Sequence, residues 1–187
     1  MLLGVVLTYL AGAALEMPLL CGLIERTTGP VCHVGLVARD PPFLARGTYV
    51  LEDAYLTGLP DALSGRPRYG SQILAFEARA AAWPAYRVWW LGQVEAAAFE
   101  RVFWEFRNAT YDLDVVFMER LVARTFVAWP AENVCSTFVA KFLAALGCLR
   151  GSHLAYNALP VDFSNATALG IACPKTPPEA AAAGVTV

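Results

Sequence analysis

Val94-Glu95-Ala96-Ala97-Ala98-Phe99-Glu100-Arg101-Val102-Phe103-Trp104-Glu105-Phe106-Arg107 is the stretch at which the chain changes its period. Phe99, Val102, Phe103 and Phe106 recur at helical spacing with Glu95, Arg101 and Glu105 opposite, which predicts an amphipathic helix. Upstream, strand-like runs occupy Val31 to Ala38, Thr48 to Asp53, Gln72 to Glu77 and Tyr86 to Leu91, divided by turns carrying Pro and Gly. Downstream the helical period continues. A second helix is predicted from about Asp114 to Val127, ending before Pro130. A third takes Asn133 as its cap, Val134, Phe138, Val139, Phe142, Leu143 and Leu146 as its apolar face, and Gly147 as its stop. Strands followed by helices predict an α+β fold. Residues 1–173 read as a single domain without repeat or linker, and the Pro- and Ala-rich residues 174–187 as an extended tail.

The 187 residues are 57% hydrophobic and 16% charged, which excludes a disordered chain and leaves ample material for a core. Met1 to Ile24 is the most apolar segment. Its uncharged run stops at Glu16, short of the roughly 20 residues a spanning helix needs, and Pro18 follows. No Lys or Arg precedes it, as a secretory signal would require. A buried strand or helix is the first expectation, and an anchor against a membrane or a large assembly the second. A net charge of −2 with scattered Lys and Arg argues against nucleic acid. Five cysteines, Cys21, Cys32, Cys135, Cys148 and Cys173, form no CxxC pair, so neither a disulfide framework nor a zinc site follows and no cofactor is expected. A reducing, intracellular (cytoplasmic) compartment is the simpler expectation. The N-x-T sequons at Asn108 and Asn165 would matter only in a secreted protein.

Histidine is scarce, with only His33 and His153, and this restricts any nucleophile–base pair. Cys135 falls at the second position of the third helix. There, unpaired N–H groups and the positive helix end favour a thiolate and can stabilise an oxyanion. The other cysteines lack this setting: Cys148 follows a helix end, Cys21 and Cys32 flank a turn-rich stretch, and Cys173 is in the tail. Taken alone, a buried cysteine is a small core residue and a buried histidine a hydrogen-bonded one. On an alternating strand Val31, His33, Gly35 and Val37 share a face, and Gly35 leaves space over the imidazole for a substrate or a helix terminus.

The segment Cys32-His33-Val34-Gly35-Leu36-Val37 resembles the histidine strand of the circularly permuted NlpC-like papain-fold hydrolases. That family includes the YiiX-like proteins, a poxviral branch and, more distantly, the lecithin:retinol acyltransferases. Its order is a histidine strand, a strand ending in glutamate with a Gly-hydrophobic pair six residues on, and a cysteine at a helix start. Here His33, then Val50-Leu51-Glu52 with Gly58-Leu59, then Val134-Cys135-Ser136-Thr137-Phe138-Val139 stand in that order. Asn108-Ala109-Thr110-Tyr111-Asp112 is similar to the family's G-x-x-Y-D segment, and Leu159-Pro160-Val161-Asp162-Phe163 to its late Pro-containing segment. The likeness covers residues 12 to 164. One departure is Gly12-Ala13, where many members carry Gly-Asp.

The resemblance implies a single permuted papain-like domain over residues 1–173, with an antiparallel sheet packed against helices. It also implies a thiol hydrolase or acyltransferase, with Cys135 as nucleophile, His33 as base and Glu52 as the residue that orients the histidine. The substrate would be a peptide, an isopeptide or an acylated molecule, and Trp83, Trp89 and Trp90 are candidates to line an apolar groove. The alternative is a catalytically silent structural or interaction protein of a membrane or viral particle that retains the fold, with its apolar N-terminus as the contact.

Overall fold

The computed structural model describes residues 1–9, 30–55, 57–83, 85–111, 132–149, 158–164, 171 and 184–185. Leu2–Tyr9 is the first strand, β1, and its run of apolar residues is that of a strand covered on both faces. Leu3, Val5 and Leu7 enter the larger core, and Val6 a smaller one on the opposite side. β1 lies between β2 (Val31–Arg39) and β5 (Ala85–Gln93), with β3 (Thr48–Ala54) and β4 (Gly70–Ala75) beyond β2. The sheet is antiparallel in the order β4-β3-β2-β1-β5-β8, where β8 is Gly184–Val185 pairing Val88 and Trp89 of β5. Part of the expected tail is thus an edge strand.

α1 (Phe76–Ala80), α2 (Ala96–Phe106) and α3 (Cys135–Ala145) are the helices among the described residues. α2 turns Phe99, Val102 and Phe103 inward, as its period requires, and leaves Glu95, Arg101 and Glu105 in solvent. Phe99 and Phe106 meet Phe142 of α3, so the two helices join through aromatic rings over the larger core. α3 is buried on every side from Cys135 to Leu143, including Ser136, Thr137 and Lys141. Gly147 ends it in the left-handed region at φ 70°, with its N–H on the Ala144 carbonyl. A short parallel pair, β6 (Thr110–Tyr111) with β7 (Glu132–Asn133), leads into α3.

The strand expected to run to Glu77 ends at Ala75, because the chain turns there into α1, which folds over the smaller core beside Trp83. Asn133 does not cap α3. Val134 holds the cap position, Thr137 Oγ1 accepts from the Val134 N–H at 2.9 Å, and Asn133 Oδ1 accepts from Lys141 Nζ at 3.1 Å. Cys135 is therefore the first rather than the second residue of the helix. The helix expected over 114–127 and residues 10–24 of the apolar N-terminal segment lie outside the described residues.

Candidate active site

Antiparallel register sets which side chains can meet. Leu36 pairs Leu51 and Val37 pairs Val50, so His33 and Glu52 sit diagonally at one end of the sheet. Period-two alternation puts Glu52 with Val50 on the smaller-core face, and Asp53 with Leu51 on the face toward α3. The expected choice of Glu52 over Asp53 is the one the geometry makes: Glu52 Oε2 lies 2.8 Å from His33 Nε2. Val31, expected on the face of His33, is instead in the larger core. A bulge explains the exchange, since Thr8 pairs His33 while Tyr9 pairs Val31, leaving Cys32 as the extra residue.

Gly35 also differs from its expected use. A Cβ there would lie 3.2 Å from Val50 Cγ1 and 3.4 Å from Glu52 Cβ. The space a side chain would need is taken by β3, and this close approach lets the Glu52 side chain cross to His33.

With Nε2 engaged by Glu52, Nδ1 is the ring nitrogen left for the sulfur, and Cys135 is near enough for its charge to act on the imidazole. The structure thus brings Cys135, His33 and Glu52 together. Burial alone would lower the imidazole pKa. The charges of Cys135 and Glu52 and hydrogen bonds to both outweigh it and push His33 up to about 10. Burial would raise the Glu52 carboxyl, but the Arg79 charge, then that of His33, holds it below the usual range. Val134, at the cap position, has no side-chain acceptor for the first-turn amide groups of α3, which stand at the sulfur's end of the helix.

Three further residues support Glu52. Arg79 Nε lies 2.8 Å from Oε1, and Gln72 Nε2 donates to the same oxygen at 3.3 Å. Thr57 Oγ1 donates to Gln72 Oε1 at 3.2 Å and accepts from Leu59 N–H, a turn that Gly58 permits at φ 69°. Gln72 pairs Glu52 in register, so the strand pattern carried its signal once β3 and β4 are set side by side. Arg79 had none, because Ala78-Arg79-Ala80-Ala81-Ala82 reads as an ordinary solvated helix turn.

Asp53 faces α3 with both carboxylate oxygens lacking a hydrogen-bond partner among the described residues. Burial pushes its carboxyl up to about 8; the His33 and Lys141 charges oppose this and the Glu52 charge adds to it. Cys32, next to His33, is disulfide-bonded, which the cysteine spacing gave no reason to expect, whereas Cys135 and Cys148 form no disulfide. Cys148 sits beyond the far end of α3, and Cys21, Cys173 and His153 lie outside the described residues.

Trp89 packs against the larger core and Trp83 and Trp90 lie with the smaller one, so the three do not share a face of the sheet. Trp83 is buried beneath the Arg79 guanidinium, and Trp89 carries Arg87 at 3.9 Å from its ring. Trp90 lines a pocket of about 250 Å³ with Phe76, Tyr86, Val37 and Arg39, at the end of β2 away from His33. Tyr111 of the Asn108–Tyr111 segment sits in β6, where its carbonyl accepts the Tyr69 hydroxyl. Pro160–Ser164 is a 3₁₀ turn, with Asp162 Oδ2 accepting from the Leu159 N–H. Among the described residues no cluster of His, Cys, Asp or Glu could hold a metal, and no helix is long and apolar enough to cross a membrane. Comparison with protein-family models, curated proteins and solved structures returns no match.

Proposed function

We propose that the chain is a thiol hydrolase or acyltransferase of permuted papain-like architecture, acting on an amide or ester carbonyl. The supporting observation is the Glu52–His33 contact, with Cys135 beside the imidazole at the first residue of α3. His33 takes the Cys135 proton, so that the sulfur attacks as a thiolate. The thiolate attacks the carbonyl carbon, and the resulting oxyanion takes hydrogen bonds from first-turn N–H groups of α3. His33 passes its proton to the departing amine or alcohol as the carbon–heteroatom bond breaks. Water, or an acceptor alcohol in the transferase case, then attacks the acyl-cysteine while His33 takes its proton, and the thiolate leaves. Glu52 on Nε2 keeps the ring oriented through both steps. The order of motifs, His33 before Glu52 before Cys135, supports the permuted form.

p-Nitrophenyl acetate tests this reading. Cys135 should acquire one acetyl group, seen by peptide mass spectrometry, with a burst of nitrophenol, and His33→Ala should abolish both. Acetylation at surface lysines with none at Cys135 would sink the proposal. One observation favours a second reading, a silent scaffold in a membrane or viral assembly. Cys135 is only 3% exposed and the His33 side chain 15%, so access to the sulfur is narrow. A scaffold would show a Cys135 slower toward iodoacetamide than free cysteine. The disulfide at Cys32 does not fit a reducing compartment, and a thiol count on unreduced protein decides between the two.

A further inference from the structure

Arg79 is buried, yet nothing in the hydrolase chemistry above uses it. Its Nε stands 2.8 Å from Glu52 Oε1, while His33 Nε2 stands 2.8 Å from Oε2 of the same carboxylate. Both members of the Arg79–Glu52 pair are out of water, with side-chain exposures of 5% and 0%. The guanidinium carbon lies 5.1 Å from the centre of the Trp83 ring, which closes the pair off on that side. Bringing two such ions out of water costs several kcal/mol each, and replacing a buried pair by apolar groups is often neutral or better for stability. Stability alone is therefore a poor reason for Arg79 to be there.

We propose that Arg79 is a positioning residue for the Cys135 reaction: by engaging Oε1 it fixes the carboxylate so that Oε2 faces His33, completing a buried row from Arg79 through Glu52 and His33 to the sulfur of Cys135. This rests on the thiol-hydrolase reading. The groups that face the row come from four elements. Arg79 is from α1, His33 from β2, Gln72 from β4 as an uncharged donor to Oε1, and Cys135 from α3. Asp53, on the strand of Glu52 but the other face, and Lys141 of α3 are the remaining charged groups nearby among the described residues. Without Arg79, the buried Glu52 would keep His33 as its one charged partner among the described residues, and the carboxyl would take up a proton at higher pH. A neutral Glu52 no longer supports the imidazolium, so the reactive ion pair would form only in less acidic solution.

The test is the rate of Cys135 alkylation by iodoacetamide from about pH 4 to 9, assigned by peptide mapping, in the full chain. In Arg79→Met the acid limb should move up by about one to three pH units, and Arg79→Lys, which keeps the charge, should restore most of it. In a Glu52→Gln background, Arg79→Met should move the limb no further. An acid limb in Arg79→Met that superimposes on the wild type overturns the proposal, because a residue that only holds α1 to the sheet would change stability alone. Should Arg79→Met fail to fold, the wild type decides by ¹³C NMR of the Glu52 carboxylate. A carboxylate that stays ionised well below pH 4.5 supports the pairing, and one that titrates at 4.5 or above overturns it. A wild-type Cys135 no faster than free cysteine would defeat the hydrolase reading, and the proposal with it, even if the carboxylate titration still reports an intact Arg79–Glu52 pair.

Discussion

Glu52 and Asp53 stand side by side on β3, and the two-residue period of the strand sends them to opposite faces of the sheet. Glu52 meets His33, Arg79 and Gln72, whereas Asp53 meets the α3 side with no hydrogen-bond partner among the described residues. Burial keeps Asp53 protonated at neutral pH, so an asparagine there resembles the form already present. Glu52→Gln should therefore slow acetylation of Cys135 by p-nitrophenyl acetate by about tenfold or more with the fold intact, and Asp53→Asn should change it little. The reverse pattern would assign the orienting role to Asp53. Alternation on one strand says only that one of the two acids can face His33; the resemblance, through the spacing from Glu52 to Gly58-Leu59, made the choice between them. Arg79 was not legible, since its role depends on α1 folding back over the sheet. Gly35 was half legible: its need for space was read correctly, but the occupant is the neighbouring strand rather than a ligand.

At the scale of elements, β1 bears most weight. Its eight residues pair β2 on one side and β5 on the other, and Leu3, Val5, Val6 and Leu7 are fully buried or nearly so. Each such side chain contributes roughly 1.5–3 kcal/mol on burial. Deleting residues 1–11 should leave the two halves of the sheet unjoined and the protein insoluble or unfolded. A truncated protein with unchanged melting temperature would contradict the central placement of β1. Its burial was legible from the uncharged apolar run, but strand and helix could not be told apart without the partners. The start of α3 was less legible. Asn133 is a better cap by type, yet β7 pairing with Tyr111 fixes its backbone and Lys141 takes its side chain. Thr137 serves instead through the Val134 N–H, so Thr137→Val should lower stability by about 1–2 kcal/mol in urea denaturation. No loss would show that the contact is dispensable.

Over the whole molecule, the buried acids and His33 set opposing demands on pH. Glu52 and Asp61 have carboxyls held below their usual range. For Asp61, burial pushes upward and is outweighed by hydrogen bonds from Arg107 and from the Ile73 and Ser64 amides. Their stabilisation is present above ordinary carboxylate values and is lost as pH falls through the folded values. Asp53 acts in the other sense. Its folded value of about 8 against an ordinary 3.8 means that the folded chain holds a proton the unfolded chain has released. Its contribution is full below 3.8 and lost as pH rises to 8. His33, raised from 6.5 to about 10, contributes fully below 6.5 and loses that contribution as pH rises through 10. Among the described residues, then, the two groups that respond above pH 6.5 both weaken the fold as protons leave. The melting temperature should fall from pH 6.5 to 10, steepest below 8 where Asp53 and His33 act together. Asp53→Asn should make the fall below 8 about half as steep, leaving the His33 share, and leave the part above 8 unchanged. Differential scanning calorimetry across that range reads both limbs, and a melting temperature that holds level or rises would mean that the ion pairs around His33 are not formed as described.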